Sequence, residues 1–383
     1  MTTARPNTAT HWRPLAALAV AGALLASPGA AQEPAGPASP PLDPAPAVVE
    51  PGSLLFGASD LTIDFHGFVN VEYDGRGAPL TPVPTFDVHN FFLASQVHIG
   101  QDVTIFGELE YEHGAILRAD RVFIDWTLHP ALTLRAGRFD APLSYERTHY
   151  FAPVRLLSSR PLTVDIAFHE WSDTGLQAYG RLGWFSYSAA LVNGPLALTE
   201  AGIQITDVVD NNRNKALVAR LNANPVPGLE LGTAYGQGKY DDAGRLGFQL
   251  LEVDARFRRG RLELWGEYDQ RWGDDEGCTY DPATPATCSP LFTGDHAAKK
   301  GFYVVAAWTA WQGAPLVNYL KPVLRYDQVE DLETHGGTRR VTAGLNWSPR
   351  PHFMLRAEYQ QRWQFGPDGL PGHGVMAAAV ADF

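Results

Sequence analysis

The chain has 383 residues, 45% hydrophobic and 19% charged, with 30 Lys and Arg against 42 Asp and Glu for a formal charge of −12. Mean hydropathy is −0.17 and no long uninterrupted apolar run occurs, which excludes a helical membrane protein, since each spanning helix needs about 20 apolar residues. A pI near 5.4 excludes nucleic acid as a partner, because the chain repels phosphate.

The N-terminus reads as an address. Arg5 and Arg13 precede the apolar run Leu15 to Ala26, and the small residues Ser27 to Ala31 follow it. This order predicts a secretory signal peptide over 1–31, too short in its apolar part to span a bilayer of ~30 Å. Residues 32–58 are dense in Pro and Ala and read as a flexible periplasmic leader. The folded domain is expected over 59–383.

From Leu61 the pattern has a period of two. Leu61, Ile63, Phe65, Val69, Val71 and Tyr73 are apolar, and Thr62, Asp64, His66, Asn70 and Glu72 between them are polar. That is a strand with one greasy and one wet face. The pattern recurs through Val103 to Glu112, Leu262 to Arg271 and Phe353 to Arg362. It predicts about sixteen strands of roughly 8 to 14 residues, the length of tilted membrane strands, in an even number that allows closure. Composition agrees, since 19 Phe, 14 Tyr and 10 Trp favour strand over helix. The fold class is therefore all-β, a transmembrane antiparallel β-barrel.

Connections alternate in length. Short ones fall at Gly100-Gln101, Pro130, Gly183, Asn224 to Gly228, Arg259-Gly260, Gln312 to Pro315 and Pro349 to Pro351. Long ones fall at Asp140 to Thr174, Gly194 to Asn214 and Trp272 to Lys300. An outer-membrane barrel has this asymmetry, with tight periplasmic turns and extracellular loops free to grow. Tyr73, Tyr111, Tyr235, Tyr268, Tyr326 and Tyr359 share the outward phase near one end of the odd strands, while Phe257, Trp347, Phe353 and Phe383 mark the other. These are the aromatic belts expected where rings meet lipid headgroups. Val375, Ala377, Ala379, Ala381 and Phe383 alternate to the last residue. A terminal aromatic of this kind resembles the signal read by the barrel assembly machinery of Gram-negative outer membranes, and lipid is the expected partner of the outer face.

Leu134 to Glu146 (LRAGRFDAPLSYE), Ser158 to Leu162, Asp173 to Gly180, Leu324 to Asp327 and Gly344 to Pro349 together resemble the phosphate-selective porin O/P family. The resemblance implies a sixteen-stranded barrel, a homotrimer, and a third extracellular loop folded into the pore. The third long link by strand count is Asp140 to Thr174. The family's Lys- and Arg-rich lining is not matched, because the chain has five Lys: Lys215, Lys239, Lys299, Lys300 and Lys321. Phosphate specificity is therefore not carried over.

Parity assigns the lumen wall. Glu72, Glu110, Glu267 and Glu358 share one height on odd strands, with Arg325 in the corresponding place. Arg135, Arg220, Arg256, Arg258, Lys321 and Arg356 lie toward the short-turn ends. The expectation is an acidic vestibule above a mixed or basic throat, selecting ions by charge. The third loop adds Arg147, Arg155 and Arg160 beside Glu146, Asp165, Glu170 and Asp173; these either select ions or pair with wall carboxylates and pin the loop.

No catalytic constellation is legible. His66, His89, His98, His113, His129, His149 and His169 show no spacing that couples them to Ser144 or Ser158, and no Gly-Xaa-Ser-Xaa-Gly elbow occurs. No cofactor is implied. Cys278 and Cys288 lack zinc-ligand spacing and, in an exported chain, read as a loop disulfide, so no metal site is expected. The sequence thus describes a passive channel for small hydrophilic solutes or ions. A plugged barrel serving as an anchor or adhesion scaffold is the alternative, and an enzyme the third.

Overall fold

The computed structural model describes residues 56–383 apart from 59, 78–80, 82, 120, 150, 166–170, 196–209, 211, 242, 274–297, 333 and 367–369. The expected signal peptide, nearly all of the expected leader, Glu170, Cys278 and Cys288 lie outside the described residues, as do the side chains of Arg147 and Asp165.

Sixteen strands follow in order. They are β1 Leu61–Gly75, β2 Thr85–Ile99, β3 Val103–Glu112, β4 (Ile116–Arg118 continued by Val122–His129), β5 Leu132–Asp140 and β6 Ser172–Leu182. Next come β7 Phe185–Val192, β8 Ala216–Val226, β9 Leu229–Lys239, β10 Gly247–Arg259 and β11 Leu262–Gly273. The last five are β12 (Lys299–Trp308 continued by Trp311–Ala314), β13 Val317–Asp331, β14 Gly337–Arg350, β15 Phe353–Phe365 and β16 Gly372–Asp382. Each pairs antiparallel with the next, and β16 pairs with β1 through Val375↔Gly75 to Asp382↔Phe68. The sheet closes, so no edge is left unpaired in lipid.

Short and long connections alternate as the sequence predicts. β6 and β7 are joined by two residues, Gly183 and Trp184, and β10 and β11 by Gly260 and Arg261, whereas β5 and β6 are separated by 141–171. Two boundaries differ from the sequence reading. Phe56–Ala58, compositionally part of the leader, forms a short strand against Leu61–Ile63. Asp173 belongs to β6 rather than to the loop, because its backbone pairs with Phe139 of β5.

The outward faces are apolar and exposed, as at Leu109, Ile124, Leu176, Leu221, Val304 and Leu324. A continuous apolar wall of this kind is tolerated in lipid and not in water. Its upper border is built by one repeated device on four consecutive odd strands. Tyr235, Tyr268, Tyr326 and Tyr359 each donate the phenol O–H to the glutamine two residues on, Gln237, Gln270, Gln328 and Gln361, at 3.3, 2.8, 3.2 and 3.2 Å. The ring lies on the apolar side and its polar tip meets a polar side chain, the arrangement an interfacial belt requires.

Inside, parity is not uniformly polar. Phe68, Phe92, Phe106, Phe123 and Phe139 point inward from β1 to β5 and are buried with Phe151, Ala152 and Trp171 of the long connection and its border. Phe151 packs on Phe92 at 5.0 Å between ring centroids and on Phe68 at 6.0 Å. Side-chain burial therefore centres inside the barrel, where this connection meets the wall.

Candidate functional site

The interior is organised by residues 141–165, which leave β5 at Asp140 and carry two short helical turns, Tyr145–Thr148 and Leu162–Asp165. They touch wall strands around the circumference. Leu143 approaches Gly236 of β9, Phe151 packs on β1 and β2, Leu157 lies against the Gly344 position of β14, and Leu162 donates its N–H to Asp327 of β13 at 2.9 Å.

The four acidic residues predicted to line an open vestibule are buried instead. Glu358 accepts the backbone N–H groups of Ser158 and Ser159 at 2.7 and 3.1 Å. Glu267 accepts the N–H of Glu146 at 3.2 Å. Glu72 accepts from Asn70 at 2.8 Å and lies 3.7 Å from the Arg155 guanidinium. Glu110 accepts from Asn90 at 2.5 Å and faces Arg118 across the strand pair. These carboxylates were expected to meet water; all four have less than 7% of their surface exposed. For Glu267 and Glu358 the physical cause is that orphan N–H groups of a non-helical segment inside a barrel need acceptors, whereas Glu72 and Glu110 are held by wall asparagines.

The cations follow the same logic. Arg325 donates to the Ser159 carbonyl and hydroxyl, and Arg356 to the carbonyls of Arg155 and Leu157 at 3.0 and 3.4 Å. Arg340, which the sequence reading did not single out, donates to the Arg160 carbonyl and to both oxygens of Asp327. Arg135 forms a bidentate pair with Asp125 at 2.7 and 2.8 Å and lies over the Phe123 ring, and Arg220 pairs with Asp254 at 2.6 Å. Among the segment's own charges, Arg155 meets Glu72, while Arg160 meets Glu146 within the segment at 3.5 Å. Asp173 accepts from Trp171, Gly194 and Thr174.

The first helical turn carries Glu146, which is buried, and His149 follows it, half-buried. His149 donates from Nδ1 to the Tyr145 carbonyl at 3.0 Å and stacks on the Tyr145 ring at 3.9 Å. Burial, and then the Arg256 charge, lower its pKa to about 3, so it is neutral at physiological pH. Burial pushes the Glu146 carboxyl upward against the opposing effect of Arg160.

Below the segment lies a cavity of about 350 Å³. It is bounded by Arg155, Arg256, Arg258, Lys321 and Arg325 with only Glu146 and Glu263 as acids, and by Trp265, Tyr303 and Val305. Glu263 accepts from Lys321 at 2.7 Å and Arg256 at 3.2 Å, one carboxylate serving two cations. Arg258 is exposed near the short-turn end. Of the cationic residues read from parity as a throat, Arg256, Arg258 and Lys321 share one cavity, Arg356 holds carbonyls of the segment, and Arg135 and Arg220 are held in pairs elsewhere on the wall.

Sequence reasoning missed a second convergence. Asp87 and His89 of β2 meet His113, in the turn after β3, with ligand-type atoms all within 4.8 Å of one another. The only sequence signal is an interruption of the alternation near His89.

No protein-family model matches the chain, and no curated protein matches it. Among solved structures, OmpF of Salmonella typhi in complex with daunomycin aligns with a TM-score of 0.59 at 12% identity, covering 86% of this chain and 100% of that one. OmpT, an outer membrane protein of Vibrio cholerae, aligns at 0.58 with 11% identity over 86% of this chain and 100% of that one. Its trimer form aligns at 0.56 with 12% identity over 85% and 100%. At such identities the likeness is one of fold: the closed sixteen-stranded barrel resembles those of these outer-membrane proteins.

Proposed function

We propose that the protein is an outer-membrane diffusion channel for small hydrophilic solutes, narrowed by residues 141–165 and biased toward anions on its short-turn side. The observation that carries this reading is the cavity of about 350 Å³ with five cations and two acids in its wall. A low-dielectric wall of one dominant sign concentrates counter-ions. There is no turnover in this reading. The proposal includes an N-terminal export signal, lipid around the outer face, assembly-machinery recognition of Phe383, and a homotrimer, for which the trimer form of the Vibrio cholerae barrel is the support. It also includes kinship with the phosphate-selective porin O/P family on the Leu134 to Glu146 motif, without phosphate preference.

One observation favours a second reading, a plugged barrel. Residues 141–165 reach wall strands around the circumference and are held there by buried charges. Planar-bilayer recording in a KCl gradient separates the two. The channel reading expects steady conductance with a reversal potential on the anion side, shifted toward cations in R256Q/K321Q and nearly unchanged in E110Q/E267Q, whose carboxylates are buried. Absence of conductance in the folded wild-type protein would leave the plugged barrel.

A further inference from the structure

The β1–β2 pair contains one irregularity. Asn70 pairs with Asn90, but Val71 pairs with Val88, so His89 is the extra residue of a bulge. A bulge breaks the in-out alternation and re-aims the extra side chain. His89 is turned toward the inward-facing Glu72, with Nδ1 3.8 Å from its Oε2, and toward Asp87, 3.6 Å from Oδ2. The partner imidazole comes from the next hairpin. Glu112 is opposite Asn90 in the β2–β3 register, and the His113 N–H donates to the His89 carbonyl at 3.3 Å. His113 Nδ1 lies 2.5 Å from Asp87 Oδ2, and the two imidazole centroids are 4.9 Å apart with planes at 84°.

We propose that Asp87, His89 and His113 bind one divalent first-row transition-metal ion, of the zinc class, at the long-loop rim of the lumen. The donor chemistry selects the class. Two imidazole nitrogens and one carboxylate oxygen suit zinc and its neighbours, whereas magnesium and calcium require mostly oxygen. The spacing suits it as well. Ligands about 2.0–2.1 Å from a tetrahedral zinc are about 3.4 Å apart, and the His89 Nδ1 to Asp87 Oδ2 separation is 3.6 Å. The shorter His113 to Asp87 contact is a hydrogen bond that the ion replaces, the imidazole proton moving to the other ring nitrogen. Three protein ligands leave the fourth position to water or to Glu72. Glu72 lies 3.7 Å from Arg155, so its charge is shared with the inserted segment.

The backbone gives a second reason to single out His113. With Gly114 it occupies the two central positions of a tight turn, at φ +51° and +65°, closed by the Ala115 N–H on the Glu112 carbonyl at 3.0 Å. Glycine or asparagine takes the first such position at lower cost than histidine. H113G therefore removes a ligand while easing the turn, so loss of binding in this variant is not loss of folding.

The site is independent of channel activity and is tested by binding alone. Zinc is titrated calorimetrically into chelator-washed, detergent-folded full-length barrel at pH 7.5, with folding verified by heat-modifiable gel migration. The expected result is one ion per chain, an affinity at least tenfold weaker in H113G, in H89Q and in D87N, and no change in H352Q. His352 forms a comparable contact with Asp382, Nδ1 to Oδ2 at 2.9 Å, and serves as the matched control. The proposal is overturned if wild type binds no zinc, if H113G binds as wild type does, or if calcium competes at equal concentration.

Discussion

Arg325, in the middle of β13, donates one guanidinium N–H to the carbonyl oxygen of Ser159 and another to the Ser159 hydroxyl, each at 2.7 Å. The two residues are 166 apart in the chain, and the wall residue holds the other's backbone as well as its side chain. Glu358, Arg340 and Arg356 act on the neighbouring Ser158, Arg160, Arg155 and Leu157 in the same way, through N–H or C=O groups. Arg155 and the four residues from Leu157 to Arg160 are thus fixed by buried wall charges at backbone atoms. Each such charge-assisted bond contributes roughly 1.5–3 kcal/mol when one partner is ionised.

Removing one of these charges should loosen the segment without opening the barrel. In R325M the Ser159 carbonyl and hydroxyl lose their donor, and E358Q replaces an ionised acceptor of two N–H groups with a neutral amide. Docking should weaken by about 2–3 kcal/mol in R325M and less in E358Q. Trypsin cleavage after Arg155, mapped by mass spectrometry, should accelerate in both variants while heat-modifiable migration stays unchanged; the bond after Arg160 precedes Pro161 and resists the enzyme. Equal cleavage rates in R325M and wild type would remove the pinning role.

Acid should undock the segment through His149. Its pKa in the folded state, about 3, lies below the ordinary 6.5, so the docked form binds fewer protons. Docking is strongest above the ordinary value and weakens as pH falls from about 6.5 toward 3, by at most about 1.4 kcal/mol per pH unit. Glu146 has the opposite sign. Its raised pKa favours docking below its ordinary range and opposes it as pH rises through the raised value. The positive charges of Arg256, Arg220 and Arg258 act on His149 in the same direction as burial. Hydrogen exchange of residues 143–160, corrected for intrinsic rate, should increase from pH 7 to pH 4.5 in wild type and much less in H149F. An identical pH slope in the two proteins would refute the assignment.

Closure of the barrel should depend on Gly67. The Gly67 and Phe383 backbones exchange two hydrogen bonds, both 2.9 Å. A Cβ on Gly67 would lie 2.5 Å from the Phe92 carbonyl oxygen and 2.7 Å from Cζ of the Phe383 ring. The terminal aromatic thus covers a position that has no side chain, a pairing that rescues glycine in a strand. G67V forces the chain apart at a backbone atom and should reduce the folded yield severely. F383A should cost about 1 kcal/mol or less in the folded state and act mainly on assembly. Folded fraction by gel migration in outer-membrane preparations checks both, and normal assembly of G67V would contradict the packing argument.

Much of the barrel was legible because it is local. Strand identity rests on period-two alternation within about ten residues, and the ends of strands on turn residues such as Gly183 and Gly260, whose positive φ suits tight turns. Alternation told which residues face lipid, and the Tyr to Gln pairs at i and i+2 lie within single strands. The interior was less legible. Phe68, Phe92, Phe106 and Phe123 occupy lumen positions that parity alone assigns to water; Phe151, brought from a connection, covers the first two, and the guanidinium groups of Arg121 and Arg135 cover the others.

The amino-acid order by itself determined a closed antiparallel barrel, its greasy exterior and the alternating lengths of its connections, since these follow from side-chain periodicity and turn chemistry along adjacent residues. Only the tertiary structure decided what the charged wall does. Glu358 meets Ser158 across 200 residues, and Asp87, His89 and His113 converge because a bulge in one hairpin and the register of the next set their side chains together. Such meetings depend on inter-strand register and on where one long segment comes to rest, and neither is encoded in any short stretch of chain.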